Sequence, residues 1–208
     1  MTSPSRSDND LFELRHAATD RAMVVVVGER RLFAIDGIGA PTGGDYRMAT
    51  EVLRAVSGRL HDLVAGRGAG VADRPILETA WWTHPEVEPA DAPKAFADRS
   101  TWHWQQMIEL DRNATDAEAE SAIDATRRAA GREQPVIRVV HPVEGRVAQI
   151  LHLGGHKTEA QTLERLYDEV ARQGLRPHGH IHELRIADEL HVPVDRVRTI
   201  LRVPIDPS

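Results

Sequence analysis

The chain has 208 residues, enough for one large domain or two small ones and for a core that needs no disulfide or structural metal. It contains no cysteine, which excludes thiol nucleophiles, zinc fingers, iron–sulfur clusters and disulfide frameworks. With 26 basic against 32 acidic residues the net charge is −6, the wrong sign for a protein that mainly grips nucleic acid. No stretch approaches the ~20 apolar residues that span a bilayer. The opening MTSPSRSDND is polar and lacks the apolar core of a secretory signal. A cytoplasmic protein with no membrane or nucleic-acid partner is therefore expected.

In chain order, residues 1–20 read as a disordered or irregular tail, rich in Ser and Asp at its start. Met23 to Val27 and Leu32 to Ile38 are β-branched or apolar runs, and the Gly28–Arg31 segment between them predicts a hairpin turn. The glycine-rich Gly37–Gly44 segment lacks the spacing of a phosphate cradle and reads as a loop. From Arg47 to Leu63 the apolar positions Val52, Leu53, Val56, Leu60 and Leu63 recur near 3.6 residues, predicting an amphipathic helix that ends at the glycines from Gly66. Ile76 to Trp82 predicts a strand, residues 84–99 a Pro- and acid-rich loop, and Trp102 to Leu110 another strand. Thr115, with Glu118 three residues on, has the spacing of a capping box for a helix to Ala130. Val136–Val140 and Arg146–Leu153 predict strands around a turn at Pro142 and Gly145. A helix from Glu159 to Gln173 is closed by Gly174, and His180–Ala187 and Val197–Val203 predict the last strands.

The order strand, glycine turn, helix, strand, strand occurs twice. LFAIDGIGAPTGGDYRMATEVLRAV and VAQILHLGGHKTEAQTLERLYDEV run alike, and each is followed by a strand with a carboxylate, Glu78 in one and Glu183 in the other. The fold class expected is α+β, a tandem repeat of a strand–helix–strand–strand module. Repeat one would span about 21–110 and repeat two about 111–208.

Three groups of residues could carry chemistry. All four tryptophans lie between Trp81 and Trp104, and strand alternation puts Trp102 and Trp104 on one face while Trp81 and Trp82 point opposite ways. Such a set serves either as a stacking wall for a flat or cationic ligand or as core. Glu183 lies among Ile181, Leu184 and Ile186. A carboxylate turned into a cavity there loses hydration, which raises its pKa toward the range useful for proton transfer. Glu78 has a similar setting. His178, His180 and His182 alternate along a predicted strand. With His152, His156 or Glu189 they could hold a metal, but no known ligand spacing is matched, and no metal or cofactor is expected.

Several segments, in order, resemble the GyrI-like small-molecule-binding domain proteins in their stand-alone form. LFAIDGIGAPTGGDYRMATEVL resembles that family's opening strand, loop and helix, ILETAWW its Leu-Glu-x-x-Trp-Trp strand, and WHWQQMIEL its Trp-x-Trp strand. LHLGGHKTEAQTLERLYDEV resembles the His-x-Gly-Pro-Tyr segment and helix, and HIHELRIAD the closing His-His-Glu-Ile-Tyr-Leu-Ser-Asp. The resemblance implies two pseudo-twofold modules with a ligand cleft between them, taking a hydrophobic, aromatic or cationic molecule. It makes Glu78 and Glu183 a symmetry-related pair, with Tyr46, Trp82, Trp102, Trp104 and Ile181 as further ligand contacts. Some stand-alone members resemble hydrolases that open the strained ring of cyclopropane-bearing compounds. For that activity Glu183 would activate water, with His156 or His182 relaying the proton. The family's Pro-Tyr is Gly155-His156 here and its closing Tyr is Arg185, so two phenols are missing.

Overall fold

The computed structural model describes residues 16–68, 76–88, 91–131, 133–187 and 192–207. Nine strands are present among them: β1 Met23–Glu29, β2 Leu32–Ile38, β3 Leu77–Trp82, β4 His103–Glu109, β5 Arg138–Val140, β6 Val143–Leu153, β7 Leu175–Pro177, β8 Ile181–Ala187 and β9 Arg198–Pro207. The α-helices are α1 Gly44–Gly66, α2 Ala92–Ala95, α3 Asp116–Ala130 and α4 Glu159–Arg172. The α+β class stands, with antiparallel strand pairing within each part of the chain.

The chain divides into two compact units. The first holds residues 30–86 and 98–142, the second the described parts of 1–29, 87–97 and 143–208. This division departs from chain order. β1 belongs to the second unit, while α3 and β5, which the sequence places in the later repeat, belong to the first. β1 pairs with β6, and β2 with β4 and β5, so the expected β1–β2 hairpin is not formed. Both runs are genuine strands. Their partners are distant in sequence, which the local turn signal at Gly28 does not encode.

In the first unit the strand order is β3-β4-β2-β5. α1 packs on β2 and β4 and buries Val52, Leu53, Val56, Leu60 and Val64, whereas Leu63 is exposed. The helix stops where Gly68 turns to φ +75° and donates its N–H to the Ala65 carbonyl. α3 lies against α1 and starts with the expected capping box: the Glu118 N–H donates to Thr115 Oγ1, and the Thr115 N–H to Glu118 Oε2. On the face away from α1, Leu32, Ala34, Ala80 and Met107 form a small apolar cluster.

In the second unit the order is β1-β6-β9-β8, with β7 on the remaining stretch of β9. α4 packs on β6, β7 and β9, follows a 3-10 turn at His156–Thr158, and buries Leu163, Leu166 and Val170. The short α2 packs on α4.

The two units share a connectivity. In β2-α1-β3-β4 the last strand lies between the first two; in β6-α4-β8-β9 it does so again. Each first strand also carries an outer neighbour, β5 on β2 and β1 on β6.

Candidate functional site

Register decides which side chains share a face, because a slip of one residue moves a side chain to the opposite face. In the first unit Gly37, Trp104 and Trp81 lie in one cross-strand row, and Ile35, Gln106 and Thr79 in the next but one. This is the face under α1: the Tyr46 hydroxyl is 2.8 Å from Thr79 Oγ1, and Gln106 Nε2 donates to the Tyr46 carbonyl at 3.0 Å. Tyr46 stacks on Trp81 at 5.5 Å between centroids and meets Trp104 edge-on at 5.2 Å. The Arg99 guanidinium sits 4.9 Å from the Trp81 ring, a cation–π contact. Gly37 lets the Trp104 indole lie flat on the sheet, since a Cβ there would come within 2.1 Å of Trp104 Cζ2. Tyr46, Trp81 and Trp104 are all buried.

The sequence expects Trp82, Trp102 and Trp104 together, and the register sets Trp82 apart. Trp81, not Trp82, stands opposite Trp104. Trp82 is half-buried on the other face, stacked on His103 at 5.8 Å. Trp102 precedes β4 as a buried residue whose carbonyl accepts from the Gly39 N–H. Two tryptophans in succession leave the inward one undetermined until the partner strand is known.

In the second unit His152, Thr199 and Arg185 form one row, and Ile150, Leu201 and Glu183 the next but one. His152 Nδ1 is 2.8 Å from the Thr162 hydroxyl on α4, so this face is the one α4 covers. Glu183 is 1% exposed on it, and Ile181, buried too, alternates onto the same face. His152 is held on both sides. A neutral ring that donates Nε2–H to the Gly155 carbonyl at 3.3 Å accepts the Thr162 hydroxyl at Nδ1. Burial holds its pKa below the usual imidazole range, against weaker upward pulls from the Gly155 carbonyl and the Glu183 charge. The sequence reading offers His152 only as a metal ligand and misses that it shares Glu183's face. The position could have been found from its place two residues before Gly154, in the segment that resembles His-x-Gly-Pro-Tyr.

His182 points to the opposite face of β8 from Glu183. There its Nδ1 is 3.9 Å from Glu144 Oε2, beside Arg202, which bonds Glu144 Oε1 at 3.3 Å and Gln149 Oε1 at 3.0 Å. His156 opens the 3-10 turn before α4 and is half-buried. The three histidines of the metal alternative do not form one strand face. His178 is exposed and 3.3 Å from Asp206, Gly179 takes φ +65°, and β8 begins only at Ile181. Glu189 lies outside the described residues.

Glu78 and Glu183 are not counterparts. In both units a glycine at φ near +110° anchors the end of the first strand: the Gly39 N–H donates to Trp102 and the Gly154 N–H to Val197. Counting rows from these anchors, Gly37 corresponds to His152, Trp104 to Thr199, Trp81 to Arg185 and Thr79 to Glu183. Glu78 then corresponds to His182. It lies on the face away from α1, where Arg30 clamps it with two bonds of 2.6 and 3.0 Å, both side chains almost fully buried. That carboxylate already holds a cation from its own chain.

No protein-family model matches the chain, and no characterised protein matches it by sequence. Solved structures do match. A conserved protein of unassigned function from Listeria innocua is 22% identical, covering 94% of this chain and 98% of its own, with a TM-score of 0.79. A hydrolase from Listeria innocua is 21% identical over 95% and 98%, with a TM-score of 0.75. The C-terminal domain of EcmrR is 10% identical over 90% and 98%, with a TM-score of 0.54. At these identities the likeness is one of fold. Among the described residues no helix is long and apolar enough to cross a membrane.

Proposed function

We propose that this chain is a GyrI-like protein that binds a small hydrophobic, aromatic or cationic molecule on the helix-covered faces of its sheets. The observation that carries this reading is the set Tyr46, Trp81 and Trp104 under α1. Large rings on that face are stacking partners for a flat ligand, which would gain about 25 cal/mol per Å² of its own apolar surface removed from water. In the second unit the carboxylate candidate is Glu183, buried on the face that α4 covers.

A second reading, hydrolysis, draws on Glu183 itself. Its carboxylate is 1% exposed, in a row with Ile150 and Leu201 on the face that α4 covers. It would position or deprotonate a water for attack on a strained or electrophilic carbon. A structural neighbour described as a hydrolase agrees with this. His156 remains the relay candidate of this reading. His182, on the other face of β8, does not.

The two readings part in one experiment. The protein is titrated with aromatic and cyclopropane-bearing compounds by tryptophan fluorescence, and each hit is recovered for mass analysis. A binder returns the compound unchanged; a hydrolase returns it with one water added. For a hydrolase, Glu183→Gln abolishes turnover and keeps the quenching. Normal turnover by that variant rejects Glu183 as the base.

A further inference from the structure

The Trp104 indole Nε1 is buried and has no hydrogen-bond partner among the described residues, although its side chain is 1% exposed. The polar atoms described around it are turned to one another. The Tyr46 hydroxyl pairs with Thr79, the Thr50 hydroxyl donates to Gln106 Oε1, and Gln106 Nε2 donates to the Tyr46 carbonyl. Tyr46 meets the indole edge-on, which offers at most a weak contact to an aromatic face. A buried N–H without an acceptor is costly, and such groups in native proteins call for an explanation. The indole is also pinned. Gly37 beneath it admits the ring only because no Cβ is present, and the nearest approaches are at Cζ2 and Cη2, with Cε2 next at 2.7 Å. The donor is therefore held in a fixed place on the same aromatic set that the binding reading uses.

A second feature bears on charge. Arg99 is almost fully buried and lies over Trp81, so a cation already occupies this aromatic set. The indole N–H itself presents positive charge, so a negatively polarised oxygen is favoured beside it over a cation.

Resting on the small-molecule reading above, we propose that Trp104 donates its indole N–H to an acceptor oxygen on the ligand. The ligand class is then a flat apolar molecule with a carbonyl or comparable neutral oxygen, rather than a lipophilic cation. A site built around a hydrogen bond discriminates against an analogue that lacks the partner atom, because the buried group is then left unpaired.

The test uses a matched pair of probes, 9-fluorenone and fluorene, which differ in the carbonyl. Each is titrated into the full chain by tryptophan fluorescence and calorimetry, with indole proton shifts followed by NMR. The Trp104 signal is assigned through its contacts with Gly37 and Tyr46. Fluorenone is expected to bind about tenfold more tightly than fluorene, one neutral hydrogen bond's worth. Only fluorenone should move the Trp104 indole proton downfield. Trp104→Phe, which keeps a ring and removes the N–H, should bind both probes equally. Equal binding of both probes to the unmodified chain, or an unmoved Trp104 signal at saturation, overturns the proposal and leaves the small-molecule reading standing. If no member of a wider apolar panel binds, both fall. Should Trp104→Phe not fold, the probe pair and the indole shift on the unmodified chain decide the matter.

Discussion

The two units carry one connectivity and opposite chemistry in corresponding rows. Under α1 the row is Gly37, Trp104 and Trp81; under α4 it is His152, Thr199 and Arg185. Two residues along the second strand of each module, Thr79 in the first unit faces a tyrosine hydroxyl, and Glu183 in the second stands in an apolar row. The difference teaches that a shared connectivity fixes positions without fixing the side chains that fill them. The first unit offers stacking surface and a donor, the second an ionisable group. The faces away from the helices differ as well, with a closed Arg30–Glu78 pair in the first unit and Glu144, His182, Arg202 and Gln149 in the second.

The largest effect should come from opening the closed pair. Arg30→Met strands a buried carboxylate and should cost about 3–5 kcal/mol of unfolding free energy in urea titration. The double variant Arg30→Met/Glu78→Met should recover most of that loss, because two apolar groups need no pairing. A double variant as unstable as the single would show that Glu78 has a role beyond holding Arg30.

A smaller effect belongs to His152. Its pKa is lowered in the fold, so the unfolded chain takes up the proton first. Its contribution is complete above the unfolded value of 6.5 and is lost as pH falls below it. Unfolding free energy should therefore decline from pH 6.5 downward, with a slope from this one group of at most about 1.4 kcal/mol per pH unit. In His152→Asn that part of the slope should disappear. Identical slopes in the two proteins would contradict the neutral, doubly held ring.

Much of this was legible in the sequence. The strand runs, the α1 and α4 periodicities, the Thr115–Glu118 box and the closing glycines all appear where local chemistry places them. What was not legible depends on pairing between distant strands. The Gly28 turn signal suggested a hairpin, yet β1 and β2 each find longer-range partners. Matching the glutamates by residue type put Glu78 beside Glu183, whereas the glycine anchors put Thr79 there. IDGIG and ILHLG already align Gly39 with Gly154, but β3 and β8 contain no glycine to carry that register forward. The tryptophan cluster is visible in the sequence and its inward members are not, while His152, offered there as a metal ligand, is placed beside Glu183 only by the strand register and the helix that covers it.

The most direct measurement is a titration of the chain with a flat apolar ligand such as 9-fluorenone, comparing Trp104→Leu with Trp82→Leu. If the α1-covered aromatic set is the binding surface, Trp104→Leu weakens binding about tenfold or more and Trp82→Leu leaves it unchanged. Loss of binding in Trp82→Leu with retention in Trp104→Leu would put the ligand on the opposite face and contradict the account.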